Sequence, residues 1–151
     1  MSKFKSVDEI LDFAMRSEQE AVDFYNSLAG TVKNEEMREV FLEFAREEVG
    51  HKARLQKIKD EGIFDIEEEK VSDLKIADYV VTGRTSPDME YRDALVLAMK
   101  REKAAFRLYT ELSQRSSSPS LKKVFRALAA EESRHKLRFE IEYDDYVMRE
   151  N

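Results

Sequence analysis

The pattern Glu-Glu-x-x-His occurs twice in this chain, at Glu47–His51 and Glu131–His135, and the two copies hold both of its histidines. Their offset of 84 residues runs without a gap through the flanking sequence. Leu11/Leu95, Ala14/Ala98, Met15/Met99, Glu18/Glu102, Ala21/Ala105, Tyr25/Tyr109 and Leu28/Leu112 match upstream of the histidines. Val40/Val124, Phe41/Phe125, Ala45/Ala129, Lys52/Lys136 and Arg54/Arg138 match around them. The halves read as copies of one supersecondary unit. Two copies are too few for a stacked solenoid, so the repeat predicts two like units packed about a pseudo-two-fold axis.

Each unit reads as a helical hairpin. With 38% charged residues, only four Gly and two Pro, and long stretches of Ala, Leu, Glu, Lys and Arg, the composition favours helix over sheet. Ser6 followed by Glu9 forms a capping box, after which Leu11, Ala14, Met15, Ala21, Val22, Tyr25 and Leu28 recur at helical spacing up to Gly30. Asn34 caps a second run, in which Met37, Phe41, Phe44, Ala45, Leu55 and Ile58 share a face before Gly62 closes it. Ser86-Pro87 and Ser118-Pro119 each set a capping serine before a proline suited to the first helical position, and predict the starts of helices three and four. The expectation is an all-α four-helix bundle in one domain spanning 1–151, with hairpins over about 6–61 and 86–150. A crossover at about 62–85 carries the acidic run Glu67 to Glu69 and a predicted short helix around 72–81.

Several functions are excluded by what the chain lacks. Without cysteine it can form no disulfide, zinc–thiolate site, iron–sulfur cluster or thiol nucleophile. A formal charge of −6 argues against nucleic acid or an anionic membrane surface as partner, and the basic group Lys122, Lys123 and Arg126 reads as a solvated helix face. No apolar run approaches the roughly 18 residues that span a bilayer. A soluble cytoplasmic protein is the expectation.

The chemistry lies on the apolar faces. Glu18 stands between Ala14 and Met15 one turn before it and Ala21 and Val22 one turn after, and Glu102 stands likewise among Ala98, Met99, Ala105 and Phe106. Glu48 and His51 share a face with Phe41, Phe44 and Leu55, as Glu132 and His135 do with Phe125, Leu128 and Phe139. An isolated ionised carboxylate is too costly to bury, so it must protonate, find a cation or bind a metal. All six groups fall near the middle of their helices and are expected to meet at half height. Two divalent ions balance four carboxylates, and a neutral imidazole completes the coordination of each. A single Glu-x-x-His on a charged helix is usually chance; both histidines recurring with the interior glutamates is not. Glu47, Glu131 and Glu20 project away from these faces and read as surface groups. Tyr25 and Tyr109, two turns beyond Glu18 and Glu102, are either core aromatics or hydrogen-bond donors that orient a metal-bound carboxylate. Gly50 sits where glycine costs a helix about 1 kcal/mol; close helix approach or space beside a metal would offset that, and simple tolerance of the glycine is an equal reading.

These residues resemble the rubrerythrin-like branch of the ferritin-like di-iron proteins, in which two helices give one Glu each and two give Glu-x-x-His. The likeness covers nearly the whole chain, through Ala-Met-Arg-Ser-Glu at 14–18, Ala-Met-Lys-Arg-Glu at 98–102 and the two histidine motifs. It implies Glu18, Glu48, His51, Glu102, Glu132 and His135 as metal ligands, Glu48 and Glu132 as bridges, and Tyr25 and Tyr109 beside them. It also implies two iron ions per chain, with manganese the other candidate. The implied activity is reduction of hydrogen peroxide or dioxygen, with electrons from a separate donor such as a rubredoxin, by a homodimer. Iron storage and a metal-stabilised scaffold or sensor are the alternatives. Two features depart from the family pattern. A cysteine-free chain cannot contain the rubredoxin-like domain of typical rubrerythrins, and Ala105 stands where they carry a further glutamate. Bacterioferritins share the paired motifs, but their haem-binding methionine is replaced here by Val49 and Gly50, and 16 residues after His135 leave little room for a cage-forming fifth helix.

Overall fold

The structure, a computed structural model, describes residues 4–62, 73–81, 86 and 88–150. Four long helices dominate these residues: α1 (Val7–Thr31), α2 (Glu35–Glu61), α3 (Tyr91–Arg115) and α4 (Pro119–Glu150). None is long and apolar enough to cross a membrane. The chain divides into two compact units, one of Met1–Ala77 with Arg115–Ser118 and the other of Asp78–Gln114 with Pro119–Asn151.

The first unit is built on α1 and α2. Ser6 Oγ accepts from Glu9 N at 3.1 Å and starts α1; Asn34 Oδ1 accepts from Met37 N at 3.1 Å and starts α2. Each satisfies one of the amides that a helix start leaves without an internal partner. Gly62 ends α2 in the left-handed region at φ 61, with its N–H on Lys59 O, a conformation that glycine adopts without strain. Arg38 ties the turn together by donating to Ala29 O at 3.1 Å and Val32 O at 3.2 Å, which caps the carbonyl end of α1. Lys59 meets Asp12 at 2.7 Å and Lys52 meets Gln19 at 2.9 Å, so the contacts run in opposite order along an antiparallel pair. Asp12 holds the half-buried Lys59 above the usual lysine value through that hydrogen bond.

The second unit repeats the plan with α3 and α4. Ser113 Oγ donates to Lys122 O at 3.1 Å near the connection, and Tyr91 OH donates to Glu142 at 2.9 Å at the far end. The repeat is visible in the cores. Tyr25 stacks on Phe41 with centroids 6.3 Å apart, and Tyr109 stacks on Phe125 at 6.4 Å.

Two expectations need correction, and a third falls largely outside the described residues. Helix α3 begins at Tyr91 rather than after Ser86, because Ser86 forms a turn: its carbonyl accepts from Met89 N and its Oγ from Asp88 N. The helical hydrogen bonds begin with Ala94 N on Glu90 O at 2.9 Å. The second concerns one reading of Gly50: a Cβ there would meet nothing within 4 Å, so close helix approach does not explain the glycine, and tolerance stands. Of the short crossover helix only a 3-10 turn at Ile76–Asp78 is described; Glu67 to Glu69 lie outside the described residues. Since nothing crowds the position, Gly50→Ala should stabilise the protein by about 0.5–1 kcal/mol, the usual helix-interior difference, and a urea melt would measure it. A loss of stability there would mean that the missing side chain has a use.

Candidate metal centre

In the first unit α1 supplies Glu18 and α2 supplies Glu48 and His51, all three near mid-helix and at most 2% exposed. They are buried because the residues one turn to either side, among them Ala14, Met15, Ala21, Phe44, Ala45 and Leu55, are themselves core. His51 Nδ1 lies 3.3 Å from Glu48 Oε1 and 3.6 Å from Glu18 Oε2. The i, i+3 spacing of Glu48 and His51 aims both at the same point as Glu18.

The second unit reproduces the arrangement. Glu102 on α3 and Glu132 and His135 on α4 are each at most 1% exposed. His135 Nδ1 is 3.6 Å from Glu102 Oε1. Within each triplet, every residue offers a ligand atom within 4.8 Å of those of the other two.

The electrostatics follow from burial. At His51, loss of water disfavours the charged ring, but Glu18 and Glu48 together outweigh that and push its pKa from 6.5 up to about 10. Carboxylates this deep need a positive partner, and in metal-free protein a protonated His51 serves as one. Glu18 Oε2, Glu48 Oε1 and His51 Nδ1 are buried atoms outside hydrogen-bonding geometry, as are Glu102 Oε2, Glu132 Oε1 and His135 Nδ1. Two carboxylates and an imidazole converging at such distances form a donor set suited to a divalent first-row metal, and the residues fit a metal on that chemistry.

Other predicted positions are placed as follows. Tyr25 and Tyr109 are fully buried, stacked on Phe41 and Phe125 as described. Glu47 and Glu131 are half-buried, Glu20 is exposed, and Ala105 is half-buried. Sequence reasoning missed Glu142, a further carboxylate only 4% exposed. It accepts from Tyr91 OH and pairs with Arg149 at 3.5 Å. Burial, reinforced by Glu142, raises the Tyr91 phenol above its ordinary value. Its spacing of seven residues after His135 was the available signal, but the counterpart 84 residues earlier is Ile58, so the repeat hides it.

Comparison with known proteins agrees with this picture. The family model described as Rubrerythrin matches residues 9–86 and 93–151. A Thermotoga maritima protein described as a ferritin-like diiron-carboxylate protein is similar in structure, with a TM-score of 0.79, 24% identity, and 97% of this chain and 99% of that one covered. A hypothetical protein of Pyrococcus furiosus is similar with a TM-score of 0.73 and 27% identity, over 92% of this chain and 89% of that one. No curated protein sequence matches the chain. The fold is the all-α, ferritin-like four-helix bundle of two helix pairs.

Proposed function

The chain belongs to the rubrerythrin family, and from that premise we propose that its two buried triplets together hold a pair of iron ions, used to reduce hydrogen peroxide or dioxygen with electrons from an external donor. The observation that carries this reading is the duplication of one buried donor set, two carboxylates and one imidazole, at equivalent positions of both hairpins. Four carboxylates balance two divalent charges, and two neutral imidazoles complete the set. Bound iron would supply two electrons per reaction, enough to take one hydrogen peroxide to water.

The chain's residues define the rest. Glu18, Glu48 and His51 would hold metal in the first hairpin, and Glu102, Glu132 and His135 would hold it in the second. Tyr25 and Tyr109 sit two turns from Glu18 and Glu102 and are proposed to orient ligand carboxylates through their phenol groups. The surrounding apolar residues keep bulk water from the charged groups, which strengthens every interaction among them. Since these 151 residues contain no cysteine, they hold no iron–thiolate centre to return electrons, and the donor must be a separate redox group such as a rubredoxin.

The test is stoichiometric. Iron-loaded, reduced protein should consume about one hydrogen peroxide per site in a fast phase and then stop until a donor is added, by two-electron accounting. His51→Ala and His135→Ala should each remove about one ion of the pair, since one imidazole is assigned to each ion. Sustained peroxide loss without any reductant would indicate disproportionation, and no consumption at all by loaded protein would end the redox reading. Accumulation of iron far beyond the pair would favour storage.

A further inference from the structure

The two triplets are equally buried, but their surroundings differ, and the repeat shows where. On α2 and α4 the hairpins match: Ala45 and Ala129 are core, Lys52 and Lys136 half-buried, and Val49 and Ser133 exposed. On α1 and α3 they do not. Met15, Ala21 and Val22 beside Glu18 are core, at most 7% exposed, whereas beside Glu102 their counterparts Met99 and Ala105 are half-buried and Phe106 is 38% exposed. Methionine answers to methionine and alanine to alanine in this comparison, so side-chain size alone does not produce the difference.

The opening is one-sided. At 3.6 residues per turn, Met99 and Phe106 fall about 60° and 40° to one side of Glu102, and Ala98 and Ala105 about 40° and 60° to the other. The second side is closed further round by Ala94 and Leu108, both core; the first passes on to half-buried Thr110 and exposed Lys103. Met99 and Phe106 thus stand on one flank, one turn before the ligand and one turn after it. Helix side chains lean toward the N-terminus, which lays the Glu102 carboxylate over the turn that holds Ala98 and Met99.

Neither Met99 nor Phe106 carries a charge, so a neutral solute passes them at a lower desolvation cost than an ion. An exposed side chain such as Phe106 changes rotamer within nanoseconds, and the methionine chain is flexible, so a gap forms here without unfolding the helix. We propose that this flank of α3 is the entry by which small uncharged oxidants reach the triplet at Glu102, with Phe106 as its movable cover. The triplet at Glu18 has no such entry. The proposal rests on the reading of the site as one that reduces hydrogen peroxide or dioxygen. Its consequence is that two equivalent ligand sets are unequal in use, since oxidant meets the second hairpin's set first.

The entry is read without metal. Hydrogen peroxide is added to chelated full-length protein carrying Ala14→Cys or Ala98→Cys, alanines that are 1% and 0% exposed and lie one turn before Glu18 and Glu102. The thiol sulfur gives up two electrons and takes one peroxide oxygen, the O–O bond breaks, and the other oxygen leaves as water. Samples are quenched with catalase and unfolded, and their remaining thiol is counted, in a chain that has no cysteine of its own. The Ala98→Cys thiol should be lost at least about 10-fold faster, as expected when local motion opens one position and only a larger opening exposes the other. Adding Phe106→Ala should quicken that loss further and leave Ala14→Cys unchanged. If circular dichroism shows a cysteine variant misfolded, the wild-type methionines decide: by peptide mass mapping, Met99 should become sulfoxide well before Met15. Equal rates at the two thiols, indifference to Phe106→Ala, or Met15 oxidised together with Met99 would each overturn the proposal. The asymmetry found together with no peroxide consumption by iron-loaded protein would keep the entry and end the redox reading.

Discussion

Replacing both Glu102 and His135 by leucine should strip metal from the protein and, in chelator, make it more stable. Both residues are fully buried, and Nδ1 of the imidazole lies 3.6 Å from the carboxylate. In metal-free protein they are polar groups removed from water whose mutual attraction only partly offsets that removal. Glu132, the third buried member of the triplet, would otherwise be left alone, so it is replaced by glutamine in the same variant and no lone carboxylate stays buried in that hairpin, while apolar side chains of similar volume suit the surrounding core. The expected gain is about 1–4 kcal/mol, the range seen when buried ionic groups give way to hydrophobic ones, read from urea melts in chelator. Metal content, read by elemental analysis, should fall by at least half. The opposite signs are what distinguish a binding site from a structural polar network. Lower stability in chelator with metal content unchanged would sink the assignment of these residues.

The stabilisation conferred by metal should widen as pH rises from about 6 to about 9. In metal-free protein, burial opposes charging of His51 but Glu18 and Glu48 prevail, so its folded pKa of about 10 stands above the 6.5 of the unfolded chain. A raised value means that the protonated ring stabilises the fold fully below about pH 6.5, and that this contribution is lost as pH climbs through about 10. Metal acts in the other direction: it needs the neutral ring and must displace that proton, so its affinity grows with pH. The gap in melting temperature between loaded and chelated protein therefore opens from both sides. At free metal a hundredfold above Kd the loaded form gains about 2.7 kcal/mol, and protons erode this at low pH. Calorimetry of both forms across the range measures it; a gap that ignores pH would remove His51 from the ligand set.

The buried clusters were legible because their neighbours one turn away are apolar. Ala14, Met15, Ala21 and Val22 are all core and enclose Glu18, whereas around Glu102 Ala98 is core, Met99 and Ala105 are half-buried and Phe106 is exposed. Helix ends were legible where a side chain does the capping, as Ser6 and Asn34 do, and where a left-handed glycine closes the helix, as Gly62 does. The start of α3 was not, because Ser-Pro serves equally well to open a helix or to make one turn before it, and here Ser86 does the latter. Glu142 escaped for a different reason. Its partner Tyr91 is 51 residues away in sequence, and no local pattern predicts a contact made across the length of a hairpin.

The fact that each hairpin carries a complete Glu, Glu, His triplet bears on ancestry. A gene of half this length, encoding one hairpin, would already have specified every ligand type the present chain contains. Tandem duplication followed by drift then accounts for the conserved positions and for those that differ. Residues bound to the shared chemistry stayed matched at an offset of 84, from Glu18/Glu102 to His51/His135. Among the many positions that differ, Tyr91 answers to Val7 and Glu142 to Ile58, so the hydrogen bond between them has no counterpart in the first hairpin.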